Sequence, residues 1–216
     1  MRFEQKFVVT QRNIERKMRL LFSKDFFYPD NFIFNVYFDT FNLKSLYEKL
    51  DGNLQRNKLR LRWYQDNSEF ISPKYLKLEN KIKRNNHSYK IDKEIQINES
   101  LNPSDFLSEN FVKKYIFPHL IDVKFYAKPF PVFLSSYFRL RFNDLLNNAR
   151  LNIDKDIKII QLSNFAKSKG LKKIKLNETV VEYKEKNGQV SDTFKKLGKM
   201  QLGSFSKYSR LLIDKH

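Results

Sequence analysis

The chain has 216 residues, with 42 Lys and Arg against 24 Asp and Glu, a formal net charge of +18 and no cysteine. Disulfides, thiolate zinc sites and a cysteine nucleophile are excluded, and the charge calls for a polyanion: nucleic acid, a membrane surface or a phosphate chain. A hydrophobic content of 41%, with 21 Phe and 11 Tyr, supports a largely aromatic core, and with only 5 Gly and 6 Pro no linker stands out, so one domain over residues 1–216 is expected.

Residues 2–10 alternate Arg2, Glu4 and Lys6 with Phe3, Gln5 and Phe7, which predicts a strand. Residues 11–24 predict an amphipathic helix with Ile14, Met18, Leu21 and Phe22 on one stripe. A mostly apolar strand follows over 32–39. Next comes a helix over 40–50 with Leu43, Leu46, Tyr47 and Leu50 in phase, ended by Asp51-Gly52. Asp39 is expected to cap that helix rather than bind a metal.

Residues 57–64 then alternate strictly: Lys58, Arg60, Arg62 and Tyr64 share one parity, and Leu59, Leu61 and Trp63 the other. This predicts a strand with one cationic and one apolar face. A spacing of ~6.6 Å between same-face neighbours lets each cation reach a different oxygen of one polyanion. The same pattern also suits an exposed basic edge strand. Trp63 and Tyr64 could stack a base, with core packing the preferred reading. Because Arg60 and Arg62 face like charges, removing either is expected to leave the fold as stable or slightly more so, whereas Leu61 is expected to be buried.

Residues 74–84 set Tyr75, Lys77, Glu79, Lys81 and Lys83 against Leu76, Leu78, Asn80 and Ile82; 85–87 form a turn. Residues 89–97 return with Lys90, Asp92, Glu94 and Gln96 on one face. Asn102-Pro103 starts a predicted helix carrying Phe106, Leu107, Phe111, Val112 and Tyr115, with Pro118 beyond its end. In 129–144, Tyr137, Arg139 and Arg141 oppose Phe138, Leu140 and Phe142; then Arg150, Asn152 and Asp154 oppose Leu151 and Ile153. In 179–186, Val180, Glu182, Lys184 and Lys186 oppose Thr179, Val181 and Tyr183. Ser191 caps a short helix with Phe194 and Leu197. Residues 204–208 precede a closing segment with Leu211 and Leu212.

Strands that are charged on one face and apolar on the other require the helices to cover the apolar side. The charged side then forms either an open basic plain or the lining of a closed barrel. Glu4, Glu79, Glu94 and Glu182 interrupt the cationic faces, which suits a lumen holding metal and phosphate better than a nucleic-acid plain. Glu4 and Glu79 read as ion-pair organisers. The aromatics keep mostly to the apolar parity, unlike an RNA-binding face that stacks bases. With no glycine-rich loop, side chains must hold phosphate, and arginine keeps its charge when crowded. His87, His119 and His216 lack ligand spacing. No run reaches the ~20 apolar residues that cross a bilayer, and the N-terminus does not read as a signal peptide, so a soluble cytoplasmic protein is expected.

Taken in order, Glu4-x-Lys6, Tyr37-Phe38-Asp39, Arg60-Leu61-Arg62-Trp63-Tyr64, Glu79-x-Lys81, Lys90, Arg139-x-x-Phe142, Arg150-x-x-x-Asp154, Glu182-x-Lys184 and Phe205-Ser206-Lys207-Tyr208 resemble the VTC domain. This is the catalytic domain of polyphosphate polymerases, a branch of the triphosphate tunnel metalloenzymes. The resemblance runs from residue 2 to about 208. It implies an α+β fold: a closed antiparallel β-barrel, the triphosphate tunnel, with amphipathic helices outside.

The resemblance further implies that Lys6, Arg60, Arg62, Lys81, Lys90, Arg139 and Arg150 hold the nucleotide and the growing chain. Lys58, Lys184, Ser206 and Lys207 are expected to contact phosphate, and Glu182 to bind Mn²⁺ or Mg²⁺. The implied reaction moves the γ-phosphate of ATP to a polyphosphate end and releases ADP; the partners are ATP and polyphosphate, with no specific nucleic acid. A tripolyphosphatase or nucleoside triphosphatase of the same fold, or a non-catalytic polyphosphate-binding protein, are the alternatives. Salt bridging to Lys184 is the alternative role for Glu182. Two departures stand out. Arg2 replaces the first Glu of the Glu-x-Glu-x-Lys that opens the related CYTH triphosphatases and cyclases, which favours the polymerase branch. Ser204 stands where some members carry a basic residue. Neither an SPX-like domain nor a membrane segment is expected alongside, so vacuolar export of product is not implied. The sequence leaves the oligomeric state open.

Overall fold

The computed structural model describes residues 3–9, 13–85, 87–161, 172–186, 188–198 and 200–202. The expectations for Arg2 and for residues 204–212, Ser206 and Lys207 among them, fall outside these residues.

Period-two alternation gives mostly antiparallel strands, in chain order β1 (Phe3–Val9), β2 (Ser23–Lys24), β3 (Asn31–Asp39), β4 (Gln55–Gln65), β5 (Tyr75–Arg84) and β6 (His87–Gln96). These are followed by β7 (Phe130–Asp144), β8 (Ala149–Gln161), β9 (Lys172–Lys175), β10 (Thr179–Glu185) and β11 (Gln201–Leu202). Among the described residues the α-helices are short: α1 (Ile14–Leu21), α2 (Lys44–Leu50), α3 (Glu109–Phe111) and α4 (Asp192–Lys195). Among the described residues no helix is long and apolar enough to cross a membrane.

Two compact units divide the chain. The first comprises Met1–Phe32, Tyr137–Ile157 and Lys175–His216; the second, Ile33–Ser136 and Lys158–Ile174. The strand order is β11-β1-β10-β8-β7 in the first and β7-β3-β4-β5-β6 in the second, β7 and β8 each contributing residues to both.

In the first unit the apolar parities of β1, β8 and β10 (Phe7, Val9, Leu151, Ile153, Val181 and Tyr183) pack with Leu140 and Phe142 of β7. They are covered by Ile14 and Met18 of α1, by Phe22, and by Phe194 and Leu197 at α4. Helix α4 starts as expected, with Ser191 Oγ accepting from the Phe194 amide at 3.1 Å.

In the second unit Leu59, Leu61 and Trp63 of β4 and Leu76, Leu78 and Ile82 of β5 are buried, as are Phe106, Phe111, Val112 and Ile116 of the segment that follows β6. That segment is not the single helix expected after Asn102. It is a succession of a 3₁₀ turn, one α turn, a π turn and a further 3₁₀ turn over residues 105–119, and Ser108 caps the α turn. The changing pitch keeps Phe106, Phe111 and Ile116 all buried, a spacing of five that one α-helical stripe does not provide. Trp63 stacks on Phe34 (5.4 Å, 12°) and on Phe106 (4.7 Å, 15°), as core packing requires. In α2 only Leu46 is buried, while Tyr47 and Leu50 face solvent. Asp39 accepts from the amides of Ser45 (2.9 Å) and Leu46 (3.1 Å), the capping role expected of it.

The closed barrel is not formed. Among the described residues the strand order starts at β11 and stops at β6, and no pairing joins these two strands. A barrel needs its last strands to bond each other. Here β11 has two residues, and β6 pairs along its whole length with β5 alone. The side chains of β6 are mostly exposed, and Lys90, Asp92, Lys93 and Glu94 among them are charged, a composition that discourages further edge pairing. The fold is α+β, built on a mostly antiparallel open sheet.

Leu61 is 0% exposed. Leu61→Ala should therefore lower the unfolding free energy by about 2–5 kcal/mol in denaturant titration; an unchanged midpoint would place the apolar parity of β4 outside the core.

Candidate functional site

Each unit carries one polar sheet face, and register decides which charges meet on it. In the second unit, Lys58 of β4, Lys81 of β5 and Lys90 of β6 lie directly across from one another. The next row is Arg60, Glu79 and Asp92, and the one after it Arg62, Lys77 and Glu94. Like charges directly opposite each other destabilise a sheet, so the middle row matters.

Glu79 is 2% exposed and holds two cations at once. It accepts from Arg60 Nε at 2.6 Å through one oxygen and from Lys90 Nζ at 2.8 Å through the other. Burial pushes the Glu79 carboxyl up, but Arg60, Arg62 and Lys90 outweigh it and bring it down to about 2. Asp92 repeats the motif at the surface, bridging Lys77 (2.8 Å) and Lys90 (3.2 Å). Arg62 is buried; its Nε donates to Asn35 Oδ1 at 2.7 Å, and Asn35 Nδ2 donates to Ser135 Oγ at 3.5 Å. Lys58 Nζ lies 4.7 Å from the centre of the Tyr37 ring.

In the first unit, Lys6, Glu182 and Asn152 form one row across β1, β10 and β8, and Glu4, Lys184 and Arg150 the next. Arg139 of β7 is buried and forks onto Asp154, Nε to Oδ1 at 2.6 Å and Nη2 to Oδ2 at 2.8 Å, with Nη2 also 3.2 Å from Glu182 Oε2. Burial opposes the charge on Arg139, yet Asp154 and Glu182 outweigh it and hold the guanidinium firmly protonated. Glu182 also takes Lys6 at 3.4 Å, Lys184 at 3.0 Å and Asn152 at 3.3 Å. Glu4 pairs with Lys6 at 3.2 Å and Lys184 at 3.9 Å, and Arg150 lies over the Tyr28 ring at 5.1 Å.

The sequence-derived set thus gathers into two clusters: Lys58, Arg60, Arg62, Lys81 and Lys90 in one unit, Lys6, Arg139, Arg150, Lys184 and Glu182 in the other. The organising role expected of Glu4 and Glu79 is present. Arg60, however, is no mere repelling charge: removing it would strip the buried Glu79 of a partner, so the expectation that the fold tolerates its loss does not hold. Asn35 and Ser135 were not anticipated. They lie in mostly apolar strands, and the one available signal was a small polar residue within such a run. Asp154 belonged to a motif, but its role as the arginine's partner needed the register.

Among the described residues no group of three or more His, Asp or Glu stands together to hold a metal. Glu182, the residue expected to bind a divalent ion, here contacts Arg139, Lys6 and Lys184, so the salt bridge to Lys184 given as its alternative role is present. Its carboxylate would serve a hard divalent ion only with water and substrate phosphate as the other ligands.

Two antiparallel sheet faces thus hold lysine and arginine side chains in lattices with carboxylates. The sequence profile of the VTC domain matches residues 1–212, and the chain belongs to that family. Its fold is shared with solved structures described as candidate adenylyl cyclases. A candidate adenylate cyclase from Bacillus halodurans superposes with a TM-score of 0.57 at 13% identity, over 98% of this chain and 97% of the other. A candidate adenylyl cyclase from Hippeastrum, HpAC1, described as having a dominant triphosphatase activity, gives 0.50 at 14% identity, over 100% and 97%. No curated protein matches the sequence.

Because the Glu79 carboxyl lies near 2 rather than the usual 4.5, it contributes stability that is complete above about pH 4.5 and is lost as pH falls through about 2. The shift corresponds to about 3 kcal/mol. Unfolding free energy measured between pH 5 and 2 should fall more steeply for the wild type than for Glu79→Gln; parallel curves would remove Glu79 from the lattice.

Proposed function

We propose that this chain is a polyphosphate polymerase: it transfers the γ-phosphate of ATP to the end of a polyphosphate chain and releases ADP. Residues 1–216 act as one VTC-type domain, with the two cationic clusters as its phosphate-binding surfaces. The observation that carries this reading is the in-register row Lys58, Lys81 and Lys90 beside Arg60 and Arg62. Three lysines opposite one another on one face are unfavourable by themselves and become favourable on a chain of anionic phosphates.

Phosphoryl transfer asks the protein for position and charge neutralisation more than for a nucleophile. A terminal phosphate oxygen of the acceptor attacks Pγ. The new P–O bond forms as the bond from Pγ to the β-phosphate bridge breaks, and that electron pair leaves on ADP. The attacking oxygen is already anionic, so no strong general base is required. Arg60 and Arg62 neutralise charge on the reacting phosphates, held in place by Glu79 and Asn35. Lys58, Lys81 and Lys90 bind the neighbouring phosphates. Arg139, Lys6, Arg150 and Lys184 do the same in the other unit, and Ser206 and Lys207 join them in this reading. When bound at Glu182, a Mn²⁺ or Mg²⁺ ion supplies further charge stabilisation to phosphate oxygens.

Purified protein incubated with ATP and Mn²⁺ should yield long-chain polyphosphate on a stained gel, and Arg62→Ala should reduce that product by at least about 100-fold. Release of free phosphate without chain product would instead make the protein a triphosphatase.

A further inference from the structure

The second unit has a cleft at one end of its cationic face, between the end of β4 and the start of β5, with a volume of about 620 Å³. That lies within the range of small-molecule sites. Residues 62–67, 71–77 and Glu94 line it. Arg62 pairs with Lys77, and Lys77 with Glu94. Two residues further along both strands, on the same face, come Tyr64 and Tyr75. They are 47% and 56% exposed, whereas the neighbouring Trp63 is buried in the core. Core packing therefore explains Trp63 but not Tyr64, contrary to the expectation that grouped them.

The chemistry along this face changes in order. Phosphate-binding cations occupy the middle rows. Arg62, Lys77 and Glu94 form the border, with Glu94 offering an acceptor suited to hydroxyl or amine hydrogens and unsuited to phosphate. Two large, partly exposed aromatic side chains, Tyr64 and Tyr75, stand at the end. The step between rows is ~6.6 Å, a distance that a sugar spans between a base and its first phosphate.

We propose that this cleft binds the nucleoside of the nucleoside triphosphate, with the base against Tyr64 and Tyr75, the sugar beside Glu94 and the phosphates running towards Arg62 and Arg60. This rests on the polymerase reading and adds to it how the donor nucleotide is oriented. A polyphosphate chain has no base, so the cleft distinguishes the nucleotide from the phosphate chain on one continuous face.

Calorimetric titration of ATP and of tripolyphosphate into the wild type and into Tyr64→Ala/Tyr75→Ala, without metal, tests this. Both tyrosines are substantially exposed, so the double variant should keep its melting temperature. The ATP dissociation constant should rise by about 5- to 100-fold, the loss expected for base stacking, while that of tripolyphosphate stays within about twofold. Tyr64→Phe/Tyr75→Phe should bind ATP like the wild type. Equal weakening of both ligands, an unchanged ATP affinity, or loss of ATP binding in the Phe pair would each overturn the nucleoside site while leaving a phosphate-binding protein intact. If the wild type bound neither ligand, the polymerase reading would fall as well.

Discussion

A sheet face crowded with cations must be neutralised from within, and one buried carboxylate does this for the second unit. Two like charges ~10 Å apart at an effective dielectric of ~20 repel by about 1.7 kcal/mol before screening, and Lys58, Lys81, Lys90, Arg60 and Arg62 all share one face of adjoining strands. Glu79 lies in the row between Lys81 and Lys77 and takes Arg60 and Lys90 on its two oxygens. Its depressed pKa is the signature of that arrangement. The net charge of the face remains positive, so the guanidinium and ammonium groups stay oriented while attraction for an incoming anion is retained.

The first unit reaches the same end by a different balance. Arg139 is buried and sits between Asp154 and Glu182, and Glu182 in turn lies among Lys6, Lys184 and Asn152. Breaking one member of such a buried lattice is costlier than its exposed counterpart, because the remaining charge is left without a partner in a poorly solvated place. Arg139 therefore has a structural duty as well as the phosphate-binding role proposed for it. Arg150, exposed above Tyr28, carries no comparable duty. Substitutions at the two positions should not be read as equivalent.

Most of the fold was legible because alternation at period two is a direct record of which side chains face the core. The parity of Phe7, Leu61, Leu151 and Tyr183 gave their burial without any knowledge of pairing. The alternation could not disclose closure: the polar parity looks the same whether strands end at an open edge or meet, and the strand order is open among the described residues. The broken helical segment over 105–119 was hidden for a related reason, since its apolar residues were visible but its changes of pitch were not. For the site, the residue types were legible and the pairings were not. Glu79 and Lys90 are 11 residues apart and Arg139 and Glu182 are 43, and only register brings them together. Core packing holds for Trp63 but not for Tyr64, which the alternation already puts on the opposite, cationic face of β4 and which is exposed there.

If these lattices hold their cations ready for a phosphate chain, such a ligand stabilises the folded protein beyond what simple salt does. A ligand that binds only the folded state raises the melting temperature by mass action. Thermal melting should be compared in tripolyphosphate and in sodium chloride at equal ionic strength, for the wild type and for Arg62→Ala. Tripolyphosphate should raise the wild-type melting temperature several degrees above its value in chloride, a rise largely lost in the variant. Equal shifts with the two salts would contradict it, since the cations would then act as diffuse surface charge and not as a site.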